Sequence, residues 1–126
     1  MHRRPAETDA APQAVGPYSQ AVWAGDVLFC AGQIPLEPAT GNVVAGGITE
    51  QTTRVLENIR ALLRSQDLDL ANVVKTTVFL TDLNHFAAMN AVYARFFPQA
   101  PPARSTVQVT RLPKDALVEI EAIACR

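Results

Sequence analysis

The sequence predicts an α+β domain in the order β-β-α-β-α-β-β: a mostly antiparallel sheet with two helices packed on one face. Three observations carry that expectation. Residues 103–109 and 117–124 alternate polar and apolar side chains with the period of half-buried strands. Residues 73–80 (VVKTTVFL) are rich in the β-branched side chains that pack well on a pleated surface. Residues 49–65 and 83–97 space their apolar side chains for one face of a helix.

The elements follow in chain order. Residues 1–12 are polar and rich in Ala and Pro, which predicts a flexible tail ahead of a single domain over 13–126. Gly16-Pro17 marks a turn. Residues 18–23 and 27–31 read as two strands of a hairpin closed at Ala24-Gly25-Asp26. Pro35, Pro38, Gly41, Gly46 and Gly47 then mark a loop to about Ile48. The first helix is expected over 49–65, capped by Thr49, with Val55, Leu56, Ile59, Leu62 and Leu63 inward and Glu50, Arg54, Glu57, Arg60 and Arg64 outward. After the strand at 73–80, Asp82 caps a helix over 83–97 whose Phe86, Met89, Tyr93, Phe96 and Phe97 read as a core stripe. Pro98 to Pro102 ends it. The strands at 103–109 and 117–124 are expected to form an antiparallel pair around the loop at Leu112-Pro113-Lys114-Asp115.

Such a pair would gather Arg104, Glu119 and Glu121 on one polar face. A solvated surface is one reading of that face. The other takes Arg104, isolated among small and neutral residues, as an anchor for a carboxylate, because guanidinium offers a planar fork of donors. Two helices cover one side of a sheet, and the Val- and Thr-bearing second side suggests a subunit interface.

Composition narrows the function classes. The chain has 126 residues, and 48% hydrophobic against 18% charged content marks a globular protein, not a disordered one. A net charge of −1 lacks the basic footprint of a nucleic-acid binder. Cys30 and Cys125 lie far apart in apolar runs, as small hydrophobes of a reducing compartment, and form no zinc quartet. No secretory leader and no membrane span is read, so a cytoplasmic protein is expected. Phosphate-binding glycine loops and a GxSxG elbow are absent, and His2 in the tail and His85 at a helix start make a His-based triad or metal site improbable. An enzyme of this composition works with Arg, Glu, hydroxyls and backbone groups, which suits an easy hydrolysis of a small carboxylate by a positioned water.

Four stretches carry a resemblance: GPYSQAV (residues 16–22), AGQIPLEPATG (31–41), VVKTTVFLTDLNHFAAMNAVYARFF (73–97) and PPARSTVQVTRLPKDALVEIEAIA (101–124). In order and spacing they resemble the Rid (YjgF) family of reactive intermediate deaminases, across nearly the whole chain after the tail. The resemblance implies a chorismate-mutase-like α+β fold, a homotrimer with sites in clefts between subunits, and no cofactor or metal. It implies hydrolysis of 2-aminoacrylate-type enamines and their imines to 2-oxo acids and ammonia. On this chain it makes Arg104 the carboxylate grip and Glu119 the acid that holds the attacking water. The backbone at Gly32 and near Thr106 would seat the substrate's carboxylate and nitrogen. Tyr18 and Asn90 would line the pocket, with Tyr18 supplied by the neighbouring subunit. Tyr18 reads alternatively as an interface aromatic, and Asn90 as a residue bonding backbone at a helix end. Many members have Cys at Thr106 and Ser at Ala31. Thr106 excludes a thiol nucleophile, and Ala31 bears on substrate preference. Two rival functions are an endoribonuclease or translation inhibitor, also attached to this family, and a non-enzymatic carboxylate-binding module.

Overall fold

The computed structural model describes residues 2–126. Six strands form one sheet in the order β1-β2-β3-β6-β4-β5: β1 Arg3–Ala6, β2 Ala21–Ala24, β3 Val27–Gln33, β4 Val73–Leu80, β5 Ala103–Gln108 and β6 Val118–Cys125. Two helices, α1 Ile48–Arg64 and α2 Phe86–Phe96, cover one face. The α+β arrangement is the expected one. Every strand pair is antiparallel except β4–β5.

That exception corrects the sequence reading. Residues 103–108 do not pair with the C-terminal strand. β5 lies parallel to β4 at the sheet edge, while β6 inserts between β3 and β4. A parallel neighbour requires a crossover connection, and α2 supplies it. Alternation within each strand holds: Val118, Ile120 and Ala122 are buried at 0%, 0% and 2% exposure while Glu119 and Glu121 point away. Alternation sorts a strand's own faces and carries no information about its neighbour.

The expected tail is also structured. Arg3–Ala6 pairs with β2. Ala6 and Ala11 are buried. The buried Gln20 side chain accepts from Thr8 N–H at 2.8 Å and donates to the Pro12 carbonyl at 2.7 Å. A partner strand and one amide satisfy this polar backbone, which its Ala/Pro composition does not reveal.

Helix α1 begins one residue earlier than expected. Gly47 occupies the cap position and donates its N–H to Glu50 at 2.8 Å. Its inner face includes polar groups with fixed duties: Asn58 donates to the Leu36 carbonyl at 2.9 Å and Gln51 accepts from Leu117 N–H at 2.8 Å. Asp82 does cap, accepting from Asn84 N–H at 2.9 Å, but over a one-turn helix at Leu83–His85. In α2, Met89, Val92 and Tyr93 are buried, whereas Phe86 is 41% exposed and outside the core.

The second sheet face is uncovered within one chain and displays Phe29 and Val107 at 48% and 42% exposure. Both cysteines are free. Burial pushes the Cys30 thiol up to about 12. A thiol-disulfide reagent is expected to leave Cys30 unmodified in the native protein and to reach it only in denaturant, as counted by mass spectrometry. Native labelling of Cys30 would contradict this packing.

Candidate functional site

Register places the two principal candidates on opposite faces of the sheet. Arg104 lies opposite Thr76 and Thr106 opposite Val78 across the β4–β5 ladder. Thr76 and Val78 are buried under the helices, so Arg104 and Thr106 face the helical layer. Glu119 pairs with Phe79 and Glu121 with Thr77, the alternate residues of β4, which point to the open face. The expected single face bearing Arg104 and both glutamates is therefore not formed within one chain.

The Arg104 side is an aromatic clamp. The guanidinium carbon stands 4.8 Å from the Tyr93 ring centroid and 5.5 Å from that of Phe86. Among the described residues no carboxylate lies within ion-pair distance of it. Ring faces attract a cation without consuming its N–H donors, so the fork stays available. The Tyr93 hydroxyl shares a 2.7 Å hydrogen bond with Thr76 Oγ1, which locks the ring beneath Arg104. Burial holds that phenol above its ordinary range, so it stays neutral. Arg104, Asn90 and Tyr93 line a cavity of ≈ 490 Å³ with Phe97 and Pro101. Asn90 Oδ1 and Thr106 Oγ1 are buried without hydrogen-bond partners. Native proteins rarely leave such atoms unpaired, and the Asn90 oxygen holds no backbone bond at the helix end.

The Glu119 side is built on a bulge. The β3–β6 register shifts between Cys30 and Gln33, across Ala31 and Gly32. The Glu119 side chain lies directly on Gly32: a Cβ there would stand 2.9 Å from Glu119 Cδ and closer still to Oε2. Burial first, and the neighbouring Glu121 charge second, hold the Glu119 carboxyl above the usual range. Such a shift suits a group that must take up a proton near neutral pH. Gly32→Ala is expected to fold normally, because only a flexible carboxylate must move, yet to displace Glu119 and lower activity. Melting temperature and turnover, measured together, check this, and unchanged turnover would show that the carboxylate's seat does not matter.

Tyr18 and Ala31 line a second cavity, of ≈ 520 Å³, on the open face with Lys75, Thr77 and Glu121. Tyr18 is half-exposed, and its hydroxyl accepts from Val15 N–H at 3.2 Å. The structure thus gathers Arg104, Asn90 and Thr106 on one side, and Gly32 and Glu119, with Tyr18 and Ala31, on the other. Sequence reasoning took Phe86 and Tyr93 as core; Tyr93 is core, yet its ring also lies against Arg104, and Phe86 is exposed beside the same guanidinium. The available signal was Asn90 between two aromatics at i−4 and i+3, a polar residue within an apolar stripe. It also left Glu121 as a structural or surface carboxylate, although its charge acts on Glu119.

His85, read from the sequence at a helix start, is half-buried with an unpartnered Nδ1. No group of three His, Cys, Asp or Glu able to hold a metal occurs among the described residues. No described helix is long and apolar enough to cross a membrane.

Comparison with known proteins bears on the whole chain. The family model described as Endoribonuclease L-PSP matches residues 8–126. A RutC family protein of Pyrococcus horikoshii is 56% identical over 117 residues, covering 93% of each chain. The crystal structure of E. coli TdcF with bound serine matches with a TM-score of 0.93 at 47% identity, covering 98% of both chains. RidA from an Antarctic Psychrobacter matches with a TM-score of 0.94 at 41% identity, covering 98% of this chain and 99% of that one. With its sequence and its fold both matched along nearly its full length, the chain belongs to the YjgF/Rid family, the family also described as endoribonuclease L-PSP.

Proposed function

We propose that this protein is a 2-imino acid deaminase, acting on enamines such as 2-aminoacrylate and 2-aminocrotonate through their imine tautomers. The observation that carries the reading is the free Arg104 fork held over Tyr93 and Phe86, beside the unpartnered Asn90 oxygen. It fits a small carboxylate with a nitrogen function close by. The serine bound to TdcF has that framework, a carboxylate next to a carbon bearing nitrogen.

In the proposed reaction Arg104 grips the substrate carboxylate, helped by the Gly32 backbone. The backbone near Thr106 accepts from the substrate nitrogen, and Tyr18 and Asn90 line the pocket. Glu119 takes a proton from water as its oxygen attacks the C2 imine carbon. That proton goes to the substrate nitrogen to complete the neutral carbinolamine; Glu119 then takes the carbinolamine hydroxyl proton and passes it to the amino nitrogen as the C–N bond breaks, so a 2-oxo acid and ammonia leave. The opposite placement of Arg104 and Glu119 favours a site assembled between copies, the clamp of one against the open face of another. The exposed Phe29 and Val107 on that face support such an assembly, taken here as a homotrimer.

A dehydratase acting on serine or threonine supplies the enamine in situ, and 2-oxo acid formation is followed with wild type, with Arg104→Ala, and with no added protein. Acceleration by wild type alone is expected. No acceleration over buffer by the folded oligomer would sink the reading. The endoribonuclease alternative requires RNA cleavage that survives purification and is lost with Arg104→Ala; the net charge of −1 weighs against it. A non-enzymatic carboxylate-binding module would bind through Arg104 with no effect of Glu119→Ala.

A further inference from the structure

A second cluster of guanidinium groups lies outside the machinery above. Arg60 and Arg64 from the end of α1 and Arg95 from the last turn of α2 border a cavity of ≈ 460 Å³. Its apolar wall includes Leu70, Phe96 and Phe97. Asp69 is the one carboxylate among the lining residues, and its oxygens are engaged: Oδ2 accepts from Arg64 Nε at 2.9 Å and Oδ1 from Leu70 N–H at 2.7 Å. Arg60 Nε forms a long ion pair with Asp69 at 3.9 Å, beyond hydrogen-bond reach, and is buried without a hydrogen-bond partner. The Arg60 guanidinium carbon lies over the Phe96 ring, 5.0 Å from its centroid, as that of Arg104 lies over Tyr93. Arg95 has no ion-pair partner among the described residues.

We propose that this cavity is a binding site for a small phosphomonoester, its phosphate held by Arg60, Arg64 and Arg95 and its apolar body against Phe96 and Phe97. Three cations against one committed carboxylate leave a local surplus of positive charge on a chain whose net charge is −1. A lone carboxylate is satisfied by one guanidinium fork. Three guanidinium groups from two helices bordering one cavity suit a tetrahedral dianion with three acceptor oxygens. The buried Nε of Arg60 has no hydrogen-bond partner, its ion pair with Asp69 being a long one at 3.9 Å, so it supplies a donor without first breaking a hydrogen bond. The cavity exceeds what inorganic phosphate alone fills, and its aromatic wall gives the remaining volume an apolar lining. The site is separate from the Arg104 cavity, although Phe97 borders both.

Calorimetric titration of the full chain with phenyl phosphate, inorganic phosphate and benzoate tests the assignment without relying on catalysis. Phenyl phosphate is expected to saturate at one per chain and to bind more tightly than the other two. The Arg60→Gln, Arg95→Gln double variant, shown by circular dichroism to keep its fold, is expected to lose at least about tenfold in affinity. Arg104→Ala is expected to retain wild-type affinity. Absence of saturation, equal affinity in the double variant, or loss of binding in Arg104→Ala would overturn the site. Equal binding of inorganic phosphate would overturn the phosphomonoester as its ligand, and displacement of phenyl phosphate by a short RNA would reassign the surface to nucleic acid.

Discussion

Arg104→Ala is expected to lower 2-oxo acid formation by roughly 100-fold or more while the fold persists, because removing one partner of a desolvated charge pair typically costs at least ~2–5 kcal/mol. The loss to stability is smaller, since Arg104 makes only ring contacts, worth about 0.5–1 kcal/mol at a partly exposed site. Arg104→Lys separates charge from geometry. Lysine keeps the cation but has neither the planar fork nor the flat surface that lies on Tyr93 and Phe86, so its rate should stay close to that of the alanine variant. Initial rates against enamine supply, with thermal melting as control, measure both. A lysine variant with wild-type turnover would show that bidentate grip is not what Arg104 contributes.

Glu119→Gln is expected to cut turnover by roughly 10²–10⁴, the usual worth of a positioned acid–base group, with little change in substrate affinity. Under the proposed reaction, in which the Glu119 carboxylate takes the proton, the wild-type protein should lose activity on the acid side at a pH above the ordinary glutamate value of about 4.3, because burial and the Glu121 charge raise that carboxyl. That acid limb should vanish with Glu119→Gln. Glu121→Gln removes the lesser of the two causes and should move the limb to lower pH.

Stability gives an independent readout. A carboxyl raised in the folded state contributes stability that is full below its unfolded value and is lost as pH rises through the folded value. The ionised Glu119 therefore strains the fold at neutral pH, and Glu119→Gln should melt higher than wild type near pH 7 and equally below about pH 4. An inactive variant that is more stable is the signature of a group kept for chemistry. A variant that melts lower at neutral pH would show that the carboxylate is held by bonds instead.

The elements themselves were legible because their signals are local. Residues 73–80 match β4 throughout, and Glu119 and Glu121 alternate with Val118 and Ile120 as written. What was not legible depends on partners distant in sequence. The pairing of β5 with β4 follows from where α2 returns the chain. The order of the N-terminal stretch follows from Gln20 and from an edge of β2 awaiting a neighbour. The site shows the same division. Arg104 stood out by its isolation, and Glu119 and Gly32 came from resemblance. The clamp of Phe86 and Tyr93 was hidden because a helical aromatic stripe reads as core whether it faces Leu80 or a guanidinium.

The position of β6 governs how this chain can be made. The latest of these six strands in chain order is central, lying between β3 and β4. Until it arrives, the nascent chain holds two fragments, a three-stranded sheet of β1 to β3 and the parallel pair of β4 and β5, with no ladder joining them. Each fragment exposes an open edge and apolar surface that β6 and its Val118, Ile120 and Ala122 would cover. The sheet therefore closes only once β6 is present, the decisive contacts being the least local ones. The same late strand delivers Glu119 onto Gly32, so an incompletely synthesised chain has neither a closed sheet nor a seated carboxylate.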